Sequence, residues 1–174
     1  LDGGPTSVGV ESTVLDVGAM TIYRPGAVTA ERIAAVAGAV TMFQADPVEL
    51  SKPPESLPSP GAGLRHYAPR AKLELVDVRF ACDLAYALYP AIERYDQARE
   101  SIGVMLPDGW DASYARHVFP WGPWGNNEVL AQRLFAGLRM LDEAGATVIL
   151  CPLPGADGVG IALRDRLEKA ARKK

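Results

Sequence analysis

Arg65, His66 and Tyr67 stand side by side within Ser59-Pro60-Gly61-Ala62-Gly63-Leu64-Arg65-His66-Tyr67-Ala68-Pro69. A fixed cation, a group that titrates near neutral pH and a phenol are crowded into one place. Glycines and prolines bracket them, so the stretch can hold neither a helix nor a regular ladder. A loop that merely joined two elements would need none of these side chains. A loop that lays a charged, hydrogen-bonding lid over a phosphate-bearing ligand would use all three.

A second group lies upstream, in Gly9-Val10-Glu11-Ser12-Thr13-Val14 and in Arg24-Pro25-Gly26. Between Ser7 and Arg24 apolar residues alternate, with Val8, Val10, Ser12 and Val14 on one face and Glu11, Thr13, Leu15 and Val17 on the other, which predicts a β-hairpin turning at Gly18-Ala19. A three-residue loop at Val17–Ala19 would set Ser12 opposite Arg24, and a two-residue loop would set Thr13 there. Either way a hydroxyl and a guanidinium sit together on paired strands. That pairing suits a ligand with amino-acid groups and a polyphosphate, because the guanidinium fork matches phosphate oxygens. Asp2-Gly3-Gly4 would add a tight turn whose amides could face an anion. Taken singly, each signal is weak: Ser and Thr are ordinary β formers, and a strand-end arginine is ordinarily solvated.

These residues must be positioned by what surrounds them. After Pro25-Gly26, Thr29 can cap a short helix that turns Ile33, Val36 and Ala37 inward, and Ala39–Phe43 can form one more strand. Six prolines punctuate Gln44–Ala71, too long a stretch for an ordinary connection, which marks a linker or functional loop. Beyond it, strands are expected at Lys72–Val76, Ser101–Leu106 and Ala146–Cys151. Helices are expected over Cys82–Tyr95, from a cap at Asn126 or Asn127 to Gly145, and through Leu163, Leu167 and Ala170. Such alternation implies an α/β, Rossmann-like, mainly parallel sheet with helices on both faces. Gly158-Val159-Gly160 lacks the third glycine of a dinucleotide fingerprint and reads as a close-packed helix start.

At 174 residues, 48% hydrophobic, 22% charged and net −3, the chain has the make-up of a soluble globular protein and not of a generally basic nucleic-acid binder. Cys82 and Cys151 are far apart in apolar segments, which reads as two buried thiols in a reducing cytosol, and no metal site is expected. No apolar run reaches membrane-spanning length and no signal peptide is visible. The chain opens at Leu1 without methionine, in what reads as the middle of a fold. Trp121 and Trp124, in Pro120–Gly125, read as a rigid aromatic loop packing on a neighbouring domain; His117 reads as structural. The terminal cations from Arg164 to Lys174 read as complementing a helix dipole.

In order and spacing, GVESTV, RPGAVTAERI and SPGAGLRHYAP resemble the threonylcarbamoyl-AMP synthases of the YrdC-like superfamily, in their longer two-domain form. The resemblance divides the chain into residues 1–43, a β-hairpin and helix remnant ending a YrdC-like catalytic domain; 44–71, an interdomain linker or lid; and 72–174, a Rossmann-like C-terminal domain. It implies a cytoplasmic nucleotidyltransferase that joins L-threonine, bicarbonate and ATP, with Mg²⁺, into threonylcarbamoyl-AMP and diphosphate. The product would serve a partner transferase that modifies tRNA. By the family pattern Ser12 would contact threonine and Arg24, His66 and Tyr67 the nucleotide, with Arg65, His66 and Tyr67 as the lid. The added domain would clamp the linker. The family's phosphate-binding lysine and arginine lie upstream of the residues present, so the catalytic residues are not assigned and the chain alone is expected to be inactive. The resemblance leaves direct tRNA contact open. Two alternatives belong to other classes: a non-catalytic nucleotide- or RNA-binding module using strand ends near Asp77, Pro107 or Pro152, and a purely structural docking domain.

Overall fold

A computed structural model of the chain describes residues 6–44, 68–78, 83–111, 113 and 115–172, with residues 83–88 described by backbone alone. In chain order the elements are β1 (Val14–Asp16), β2 (Thr21–Arg24), α1 (Ala30–Ala37), β3 (Thr41–Met42) and β4 (Lys72–Asp77). They continue with α2 (Asp83–Gln97), β5 (Ile102–Pro107), β6 (His117–Gly122), α3 (Asn127–Glu143), β7 (Val148–Leu153) and α4 (Gly160–Ala171). Strands β4 to β7 form a wholly parallel sheet in the order β4-β7-β5-β6, and β1 to β3 form a smaller mixed sheet in chain order.

Both faces of the parallel sheet are covered, as the strand–helix alternation requires. Leu73, Met105, Ile149 and Cys151 point to one face, where Leu130, Leu134, Leu138 and Leu141 of α3 and Leu163 and Leu167 of α4 close over them. Val76, Ile102, Val104, Val148 and Leu150 point to the other, against Ala91 and Tyr95 of α2. Across that second face Glu74 of β4 accepts from Tyr95 and from Arg94, both on α2. Asn126, rather than Asn127, caps α3, its side chain accepting from the Val129 amide at 3.2 Å. Gly145, at φ +89°, ends it in the left-handed turn that favours glycine.

Four expectations are corrected. The proline-containing stretch from His117 to Gly122 is a strand, β6, where a loop was read. It lies at the sheet edge, where a proline can sit without breaking a ladder on both sides. Trp121, read as packing on a neighbouring domain, is instead 0% exposed in the core of this sheet, and its Nε1 donates to the Leu130 carbonyl at 2.8 Å. Only Val14–Asp16 of the expected first strand enters a ladder; before it, Gly9 lies against α3 and Glu11–Thr13 against Gly26. Val36, expected to face inward, is 91% exposed, and no residue of α1 is buried. His117 donates to or accepts from the Ser101 hydroxyl at 3.2 Å, a structural contact. Cys151 is fully buried, and burial pushes its thiol well up; Cys82 lies outside the described residues.

Where the chain enters the parallel sheet, one carboxylate fixes it. Asp142, near the end of α3, accepts from the Ala71 amide at 2.8 Å and from Arg70 Nε at 3.0 Å. Burial works to raise the Asp142 carboxyl, but the Ala71 amide and the Arg70 side chain outweigh it and hold the group below its ordinary range.

Two outcomes follow for stability. Trp121→Ala empties a fully buried site and is expected to destabilise the fold by about 3–5 kcal/mol, read from urea unfolding. A depressed carboxyl stabilises above its unfolded pKa, and that contribution is lost as pH falls through the folded value. Asp142→Asn should therefore be less stable than the parent at pH 7, with the difference shrinking as unfolding is measured at progressively more acid pH.

Candidate functional site

The segment bearing Ser12 is laid down by two glycines. Gly9, at φ +74°, lies so close to α3 that a Cβ there would fall 2.2 Å from the Gln132 Cα and 2.3 Å from the Ala131 carbonyl oxygen. Val10 packs into the same core that α3 and α4 build on the parallel sheet. Gly26 closes on the segment from the other side, where a Cβ would stand 2.4 Å from both the Glu11 carbonyl oxygen and the Thr13 nitrogen. Thr13 Oγ1 adds a hydrogen bond to the Val28 carbonyl at 2.6 Å. Residues Gly9 to Thr13 are thus pinned between α3 and the loop after β2.

The turn joining β1 to β2 spans Val17–Met20, longer than either loop the sequence suggested. Asp16 Oδ1 organises it by accepting from the Gly18 and Ala19 amides at 2.8 and 3.0 Å, and Met20 takes φ +49°. Asp16 pairs with Thr21 and Leu15 with Ile22, but a register shift between Val14 and Leu15 brings Arg24 opposite Val14, so neither Ser12 nor Thr13 stands opposite it in the ladder. The hydroxyl and guanidinium still meet, because the arginine side chain reaches back along the neighbouring strand. Nε of Arg24 donates to the Ser12 carbonyl at 3.0 Å and Nη2 donates to Ser12 Oγ at 3.2 Å. The fork grips one residue through both backbone and side chain, leaving the exposed serine at the rim with a cation beside it.

Arg65, His66 and Tyr67 lie outside the described residues, as does the Asp2-Gly3-Gly4 turn. The described end of that motif, Ala68 and Pro69, lines a cleft of about 220 Å³ with Phe135, Leu138 and Arg139 of α3. A larger cleft of about 330 Å³ separates the small sheet from α4. Tyr23, Met42 and Phe43 line one side and Ile161, Arg164 and Arg172 the other. Ser12 and Arg24 are not among its lining residues, so the chemistry of the site is read from the motif and not from the cavity.

Sequence reasoning passed over Arg166 and Lys169 as cations of a helix end. The structure buries both: their side chains are 5% and 10% exposed, and each pairs with Asp165. Arg166 also donates from Nε to Glu11 Oε2 at 2.5 Å and from Nη2 to the Pro25 carbonyl at 3.2 Å. Partial burial raises the Glu11 carboxyl, but the hydrogen bond and charge of Arg166, with the charge of Arg24, bring it below its ordinary range. One signal was present in the sequence: Arg166 falls on the same helical stripe as Leu163, Leu167 and Ala170, where a charge demands a partner.

The family model described as threonylcarbamoyl-AMP synthase, C-terminal domain, matches residues 28–172. A threonylcarbamoyl-AMP synthase of Bacillus subtilis is 34% identical over 98% of this chain and 48% of its own length, and one of Pyrococcus abyssi is 33% identical with the same coverage. A crystal structure of P. abyssi Sua5 complexed with L-threonine superposes with a TM-score of 0.82 at 32% identity, over 98% of this chain and 48% of that one. A second structure of that protein, in which an adjacent His-Tyr pair is replaced by alanine, gives 0.81 at 31% identity, covering 98% and 47%. The chain therefore spans about half the length of the relatives it matches. With the fold, the matched span and the relatives in agreement, this chain belongs to the threonylcarbamoyl-AMP synthase C-terminal-domain family.

Proposed function

We propose that the chain is the C-terminal portion of an enzyme that converts L-threonine, bicarbonate and ATP into threonylcarbamoyl-AMP and diphosphate. The observation that carries this is the Ser12–Arg24 pair, a hydroxyl held by a guanidinium fork at an exposed edge. It lies in a chain that aligns over nearly its full length with a protein solved with L-threonine. In this reading residues 1–43 end the catalytic domain, 44–71 form a linker, and 72–174 form the added domain.

The threonine amine attacks the carbon of bicarbonate, a C–O bond breaks, and a carbamate forms as water leaves. Its carboxylate oxygen attacks the α-phosphorus of ATP, and the bond to the diphosphate leaving group breaks. Ser12 Oγ, which can both donate and accept, orients the amino acid, and Arg24 offers fixed positive charge to the nucleotide as negative charge shifts toward diphosphate. Arg65, His66 and Tyr67 cover the phosphate end and keep water from the mixed anhydride. His66-Tyr67 is the one His-Tyr pair in this sequence, and the pair replaced in the P. abyssi variant supports giving it weight. Magnesium accompanies ATP in this family pattern. Among the described residues no three or more His, Cys, Asp or Glu side chains are gathered to hold an ion. The adenylate would pass, in the cytoplasm, to a transferase acting on tRNA. Among the described residues no helix is long and apolar enough to cross a membrane.

Diphosphate release tests the reading. This chain alone is expected to show none, and the chain joined to the upstream half present in its relatives is expected to show release that needs both threonine and bicarbonate. Release by the chain alone, or none that depends on threonine from the longer protein, counts against the proposal. In the longer protein Ser12→Ala should raise the KM for threonine about tenfold, one hydrogen bond's contribution, with the KM for ATP little changed. His66→Ala and Tyr67→Ala should each lower kcat while leaving the urea midpoint within error of the parent.

A further inference from the structure

Ser12 and Arg24 are flanked, on the chain, by the two residues that Arg166 holds. Glu11 precedes Ser12 and Pro25 follows Arg24. From α4 a single guanidinium donates to the carboxylate of the first and the carbonyl of the second. Its remaining nitrogen donates to Asp165, which also takes Lys169 Nζ at 2.9 Å, so both buried cations are paired with carboxylates. The same stretch has apolar support at Val10 and near-zero clearance at Gly9 against α3 and at Gly26 against residues 11–13. Nothing in the packing of the parallel sheet requires an arginine at this point of the α4 stripe. What uses it is the segment carrying the Ser12–Arg24 edge.

We propose that Arg166 is a positioning residue, through which the α/β body fixes the separation and orientation of Ser12 and Arg24. This rests on the reading that Ser12 and Arg24 meet the substrates, and it gives the added domain a part in the reaction besides contact with the linker. The fork is needed because its two acceptors lie on separate segments. An ammonium is a compact point charge and cannot span both with the same geometry.

The test has two arms, using Arg166→Met, Arg166→Lys and Glu11→Gln. In this chain, hydrogen exchange should speed up about tenfold or more at amides of residues 11–13 and 22–24 in Arg166→Met, while amides of β7 keep the parent rate. In the longer protein, kcat/KM for threonine should fall about thirtyfold in Arg166→Met, with a smaller loss of about fivefold in Arg166→Lys and in Glu11→Gln. Exchange at residues 11–13 and 22–24 unchanged within twofold overturns the proposal. So does a kcat/KM for threonine within twofold of the parent, or a loss that merely tracks the folded fraction. Should Arg166→Met fail to fold, Glu11→Gln and Arg166→Lys carry both readouts. Absence of threonine-dependent diphosphate release from the unmutated longer protein would instead count against the functional reading, and the exchange arm alone would then decide the role of Arg166.

Discussion

A guanidinium withdrawn from water has to find oxygen acceptors in the right directions, and Arg166 finds them on three separate stretches of chain. That requirement joins the small sheet to the parallel one. Removing either partner would strand a buried charge, so the two parts share one arrangement and do not merely touch. Hydrophobic contact at Val10 and backbone proximity at Gly9 bring the segments together. Neither fixes direction, since apolar packing tolerates small rotations. The fork supplies the direction, and the Ser12–Arg24 edge inherits it.

The parallel sheet is the rigid frame behind this contact. Its central strands, β7 and β5, are buried on both faces, and α3 and α4 lie together on one of them. Both helices reach the candidate site from that side: α3 receives Gly9 and faces Ala68-Pro69, while α4 presents Arg166. One helical layer therefore meets both the segment bearing Ser12 and the chain just before β4, with Asp142 fixing the latter where the strand begins.

The contrast between the two sheets fits a chain that spans about half the length of its relatives. The parallel sheet is enclosed by its own helices. The small sheet carries α1 with no buried residue, and Val17, Val28, Val36 and Met42 are exposed. Among the described residues, four of the exposed large apolar side chains lie within 6–44, and Tyr89 and Val118 lie elsewhere.

Local pattern alone determined the α/β class, because each helix of the large domain carries its own 3.6-residue apolar stripe and β5 and β7 are apolar runs bounded by turns. Ser12 and Arg24 were singled out by the motifs that carry them, and their meeting is what the structure adds. Tertiary structure decided what those patterns leave open. The β6 strand was hidden because Pro120 is excluded from central strands and admitted at an edge, and edge position is a property of the assembled sheet. The register of β1 and β2 depended on a turn that Asp16 organises and on an irregularity between Val14 and Leu15. The stripe position of Arg166 called for a partner, but only folding brought Glu11 and Pro25 to it, since a buried charge takes its role from partners distant along the chain.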